Sequence, residues 1–167
     1  LNKLIKTNIK LYLLYGENEG YKNQVINEYF ISKIKKNIHR YEEGEILKNY
    51  DSFLSNLLNK SFFEENKLII ISRCSEKILN FVEDIINYKI EDITLIINSQ
   101  SLDKKSKIRI FFEKEKNTIC IPFYEDDLKT LSYLASSFFK NNRISISQEN
   151  INILVERSRG DRINLNN

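Results

Sequence analysis

The chain has 167 residues, 26 Lys and Arg against 23 Asp and Glu, a formal net charge of +3 and 41% hydrophobic residues, enough apolar material for the core of one medium domain, or of one domain plus part of a second. No apolar run approaches the roughly 20 residues of a membrane-spanning helix and the N-terminus lacks a secretory pattern, so no membrane partner is expected, and a cytoplasmic location follows as the default expectation. Cys74 and Cys120 lie far apart and His39 is the single histidine, which argues against a metal centre, a disulfide framework or Cys/His catalysis; each cysteine reads as a small hydrophobe at a strand end.

The chain begins at Leu1 without an initiator methionine, as a fragment or trimmed chain would. Its first element is an apolar strand, Lys10–Tyr15, which enters the turn Gly16-Glu17-Asn18-Glu19-Gly20 and then an amphipathic segment. That is the strand–loop–helix frame on which phosphate-binding loops are built. A working loop needs Gly, four residues, then Gly-Lys-Ser/Thr, so that backbone N–H groups wrap the phosphates while lysine and hydroxyl handle charge and Mg²⁺. Here Gly16 and Gly20 stand one residue too close, Lys22 does not follow Gly20 directly, and Asn23 occupies the place of the hydroxyl. Glu17 and Glu19 favour the start of a helix by about 0.3–1 kcal/mol each, yet they repel a triphosphate. The frame is kept and the working parts are missing.

Val25, Ile26, Tyr29, Phe30 and Ile34 recur at helical spacing, which predicts a helix over Tyr21–Lys36, followed by a short strand at Ile38–Tyr41. A second helix carries Phe53, Leu54, Leu57 and Leu58 and starts from Asp51 or Ser52 as N-cap. Lys67–Ser72 is a continuous apolar run of the kind buried on both faces of a parallel sheet. Ser75–Asn87 reads as a helix, Thr94–Asn98 as a strand, Lys104–Glu115 as a helix capped by Asp103, and Thr118–Pro122 as a final strand. From Glu125 onward strands stop: Asp127–Lys140 and Ser147–Ser158 read as helices, and a third begins at Gly160-Asp161. Strands alternating with helices imply a parallel α/β sheet with flanking helices.

A Walker B strand ends in acids that hold Mg²⁺, whereas Lys67–Ile71 runs into Ser72-Arg73. Asn98 stands at a strand tip, as a polar sensor would, but is read as satisfying a local backbone group. Arg73, within Ser72-Arg73-Cys74, is read as a solvated surface residue. Lys104, Lys105, Lys107 and Arg109 form the best basic cluster, a possible contact for DNA or an acidic neighbour, and Arg143, Arg157, Arg159 and Arg162 are expected to add a basic surface on the helical module. No acid/base pair or nucleophile stands out, so no catalytic residue is assigned.

Taken together, Leu13-Leu14-Tyr15-Gly16-Glu17-Asn18-Glu19, Phe62-Phe63 ahead of Lys67–Ser72, Ser101-Leu102-Asp103-Lys104-Lys105-Ser106-Lys107, and Arg157, Gly160 and Asp161 resemble, in order and over essentially the whole chain, the delta subunit of the bacterial DNA polymerase III clamp loader, within the AAA+ superfamily. The resemblance implies a P-loop NTPase-like (AAA+) α/β domain over residues 1–124 with a degenerate loop, the start of a small helical lid domain over 125–167, and a C-terminal collar domain that this chain stops short of. It further implies a protein that needs no cofactor, hydrolyses no ATP itself, and opens the ring-shaped sliding clamp (beta) within a hetero-pentamer that meets primed DNA. The clamp-inserting tip would be Lys60-Ser61-Phe62-Phe63. Neighbouring side chains diverge by about 100° on a helix and point to opposite faces of a strand, so at least one of the two rings is a candidate for exposure. An active P-loop ATPase with an irregular loop, or a generic DNA-binding α/β protein, are the alternatives.

Overall fold

The computed structural model describes residues 10–32, 37–58, 67–90 and 93–166. Two compact units emerge: one combines the chain up to Gly16 with Val25–Pro122, and the other combines Glu17–Gln24 with Phe123–Asn167.

The first unit is built on parallel strands β1 (Leu11–Tyr15), β2 (Ile38–Glu42), β3 (Lys67–Cys74), β4 (Ile93–Ser99) and β5 (Thr118–Pro122), in the order β2-β3-β4-β1-β5. Every residue of β1 is buried, and Leu68–Ile71 and Leu95–Ile97 are at most 1% exposed, because strands inside a parallel sheet are covered on both faces. Leu11, Leu13, Tyr15, Ile69, Ile71, Leu95 and Ile97 alternate onto one face, where they form a single core with helices α2 (Glu43–Lys48), α3 (Tyr50–Leu58), α4 (Leu79–Asn87) and α5 (Lys107–Lys114). The opposite parity points the other way, and there Tyr12 meets Phe30 edge to face at 4.8 Å.

Four helical readings need correction, the first being the N-cap expected at Asp51 or Ser52: α3 already starts at Tyr50, so both residues lie inside its first turn. The helix expected over Tyr21–Lys36 is α1 (Glu19–Val25) running into a π-helical turn, Ile26–Ile31, closed by Ser32 N–H donating to Asn27 C=O at 3.0 Å. Helix α2 was not anticipated. Its six residues include Gly44, too few to show a period, and it is held by Glu42 N–H donating to Glu45 Oε2 at 2.8 Å and by the fully buried Ile46. Helix α5 starts at Lys107 rather than Lys104, and Asp103 is not its N-cap: Glu76 Oε1 accepts from Lys107 N–H at 2.8 Å across the chain, so a carboxylate from another element satisfies the first turn.

The second unit holds α1 up to Gln24 with α6 (Leu128–Asn141), α7 (Gln148–Ser158) and α8 (Arg162–Asn166). Its core is Leu131, Ala135, Ile151 and Val155, the inward stripes of α6 and α7. Both long helices start as the sequence suggests: Asp127 accepts from Thr130 N–H at 2.7 Å and Ser147 from Asn150 N–H at 3.2 Å. Among the described residues no helix is long and apolar enough to cross a membrane.

Candidate functional site

The turn after β1 begins with Gly16, at φ 124°, a conformation that suits glycine, its N–H donating to Gln100 C=O at 3.2 Å. From Glu17 the chain belongs to the second unit. Asn18, 7% exposed, caps α1 by accepting from Tyr21 N–H through Oδ1 at 3.0 Å, and its amide donates to Tyr124 C=O and to Asp126 Oδ2, both at 3.0 Å.

Asp126 is the centre of this arrangement. Arg162 grips it in a bidentate pair, Nε to Oδ2 at 2.8 Å and Nη2 to Oδ1 at 2.6 Å, with both side chains 7% exposed. The guanidinium also donates through Nη1 to Gln24 Oε1 at 2.8 Å and lies 4.1 Å from the centre of the Tyr21 ring. Burial by itself would push the Asp126 carboxyl up; the hydrogen bonds from Arg162 and Asn18 outweigh it and hold the group below its ordinary value. Gly20 permits the approach of α1 to α8, since a Cβ there would stand 3.0 Å from Ile163 Cγ1 and 3.1 Å from both Arg162 Cβ and Ile163 N.

The remaining loop residues fall into place around this cluster. Lys22 is fully buried and its Nζ meets Glu19 Oε1 at 2.6 Å; Asn23 is exposed. A lysine committed to a carboxylate within its own helix is not presented to a phosphate as the P-loop lysine is. Arg162, expected on a basic surface, is instead withdrawn into a buried ion pair, while Arg143, Arg157 and Arg159 are exposed.

The second cationic group is divided. Lys104 and Lys105 lie in the turn before α5 and Lys107 opens that helix, all three exposed. Arg109 pairs with Glu113 at 2.8 Å, donates to Leu102 C=O at 3.3 Å and covers the Tyr15 ring at 5.0 Å, so it works inside the unit. Lys105 borders a crevice of about 460 Å³ at the carboxyl ends of β3 and β4, whose rim also carries the acids Glu76 and Asp103. The nearby Ser106 hydroxyl and the hydrogen bond from Lys107 N–H keep the Glu76 carboxyl below its ordinary value. The mixed charge of this rim is unlike the clustered basic face that DNA binding requires.

Arg73 is exposed and pairs with Glu42 at 3.0 Å; it takes φ 56° where β3 bulges before Cys74. Cys74 is buried, its carbonyl accepting from the Ser99 hydroxyl, and burial pushes its thiol far up; Cys120 is pushed up to about 11. Thiols so raised are poor nucleophiles. Asn98 is buried near the tip of β4, beside Leu14 of β1. Lys60, Ser61, Phe62 and Phe63 lie outside the described residues.

The residues that sequence reasoning missed are Asp126, its partners Arg162 and Asn18, and the contacts of Arg162 with Gln24 and Tyr21. Asp126 and Arg162 are 36 positions apart and Asn18 is 108 positions from Asp126, so no local spacing links them. Asp126 is also masked by Glu125 and Asp127, which make it look like part of a solvated acidic turn.

Neither protein-family models nor curated protein sequences give a match. Solved structures do. The Bacillus subtilis DNA clamp loader delta protein superposes with TM-score 0.59 at 16% identity, over 93% of this chain and 50% of that one. A Thermotoga maritima RuvB variant superposes with TM-score 0.64 at 18% identity, over 98% of this chain and 54% of that one. The Thermotoga maritima RuvB Holliday junction branch migration motor gives 0.59 at 15%, over 98% and 54%. The chain thus spans about half the length of these structures. At such identities the likeness speaks for the fold alone, and the fold is that of AAA+, P-loop NTPase-like proteins: a parallel five-stranded sheet with flanking helices.

Proposed function

We propose that this chain is a delta-type, non-catalytic subunit of a clamp-loader complex, which binds a sliding clamp and helps to open it for loading on DNA. The observation that carries the reading is an AAA+ fold whose degenerate loop spends its polar groups on the chain's own side chains: Asp126 takes the donors of Arg162 and Asn18, and Lys22 is buried against Glu19. Such a scaffold acts through its surfaces rather than through hydrolysis. The structural likeness to a clamp loader delta protein favours the clamp as partner, other clamp-loader subunits as neighbours and primed DNA as the target of the complex.

The contact itself is assigned from sequence to Lys60, Ser61, Phe62 and Phe63. Two phenylalanine rings seated in an apolar pocket contribute about 1.5–3 kcal/mol each. Calorimetric titration against the cognate sliding clamp tests this. Wild type is expected to bind, and the Phe62→Ala, Phe63→Ala double variant to bind at least about 100-fold more weakly. Equal binding by the two proteins removes the clamp-binding role of Phe62 and Phe63.

The RuvB likeness favours a second reading, a nucleotide-driven motor, for which the loop would have to accept a triphosphate.

A further inference from the structure

Three donors converge on the Asp126 carboxylate: Arg162 Nη2 on Oδ1, and Arg162 Nε with Asn18 Nδ2 on Oδ2, at 2.6 to 3.0 Å. A bidentate guanidinium joined by an amide N–H is the donor set that phosphate and carboxylate ligands find in sites built for them. Here the oxyanion is supplied by the chain.

The donors are aimed by contacts other than Asp126. Arg162 is steered by Gln24 Oε1 at 2.8 Å and by the Tyr21 ring, and α8 approaches Gly20 closely at Arg162 Cβ and Ile163 N. Asn18 is fixed through Oδ1 by Tyr21 N–H, and its amide has a second acceptor in Tyr124 C=O. Removing the carboxylate therefore leaves the donors buried and still pointing at a common place, which is the definition of a preorganised site.

We infer that Arg162 and Asn18 form an oxyanion site permanently occupied by the internal carboxylate of Asp126. The site is of the size and chemistry of one phosphate or carboxylate group. Its self-occupation holds the Glu17–Gln24 segment in place with no outside ligand. The inference deepens the proposed function, since it gives the degenerate loop an anchor within the chain, but it does not depend on which partner the protein binds.

The test is chemical rescue of Asp126→Ala, read by thermal melts in sodium phosphate, sodium formate or sodium chloride at matched ionic strength. The expected result is that about 50 mM phosphate or formate raises the Tm of Asp126→Ala by about 4 °C more than chloride does, that wild type gains less than about 1 °C over chloride, and that adding Arg162→Ala abolishes the rescue. If Asp126→Ala is unfolded in chloride, circular dichroism is expected to recover in phosphate or formate. Overturning results are an Asp126→Ala protein that responds to all three salts alike, folded or not, or a wild type that gains as much as the variant. None of these readings involves the clamp, so failure here and failure of the Phe62/Phe63 titration are separate events.

Discussion

Replacing Gly20 by alanine sets two effects against each other. Alanine gains about 1 kcal/mol over glycine inside a helix. Against that, the new Cβ would meet Ile163 N and Arg162 Cβ at 3.1 Å, and neither atom is the end of a flexible side chain, so overpacking costs about 1–3 kcal/mol. A net loss of about 1 kcal/mol is expected in urea denaturation. Gly44 is the control: it is exposed in α2 with nothing within 4 Å of its Cβ position, so Gly44→Ala is expected to stabilise by about 0.5–1 kcal/mol. Asp126 gives a pH signature of its own. Its folded-state value is depressed, so the Arg162 pair contributes fully above the ordinary carboxyl range near pH 4 and is lost as pH falls through the lower folded value. Acid titration of wild type should therefore show stability falling below about pH 4, a component that Asp126→Asn lacks. The variant starts lower by about 3–5 kcal/mol at neutral pH, because a buried guanidinium loses its charge partner.

At the scale of elements, what was legible in the sequence follows from where each signal resides. Continuous apolar runs such as Leu68–Ile71 and Leu95–Ile97 identify buried parallel strands directly, because burial on both faces erases alternation. The starts of α6 and α7 were legible for a local reason too, since Asp127 and Ser147 cap them through bonds three residues long. Asp127→Ala should cost about 1 kcal/mol, and Ser147→Ala a similar amount, each read as a shift of the urea midpoint with unchanged m-value. The start of α5 was not legible. Its first N–H is satisfied by Glu76, 31 positions away, and a cap borrowed from another element leaves no mark in the local pattern. The same reason hides the cluster at the degenerate loop: its defects are visible within eight residues from Gly16 to Asn23, whereas the bonds that join Asn18 to Asp126 and Asp126 to Arg162 are a tertiary event.

For the molecule as a whole, the question is whether an AAA+ scaffold with this loop still answers to nucleotide. Linkage makes the answer measurable without any activity assay. A ligand present at about 100 times its dissociation constant stabilises the form that binds it by about 2.7 kcal/mol, several degrees in Tm for a chain of this size. In a loop where Asp126 already occupies the guanidinium of Arg162 and Lys22 is buried against Glu19, a triphosphate would have to displace a buried carboxylate and bring its own charge beside two acids, Glu17 and Glu19. One millimolar Mg-ATP, about 100-fold over a micromolar-range constant near 10 μM, is therefore expected to move the Tm of the wild-type chain by less than about 1 °C. A rise of several degrees would favour the motor reading. It would also require that the nucleotide free Arg162 from Asp126, so the same titration on Asp126→Ala should then give the larger shift.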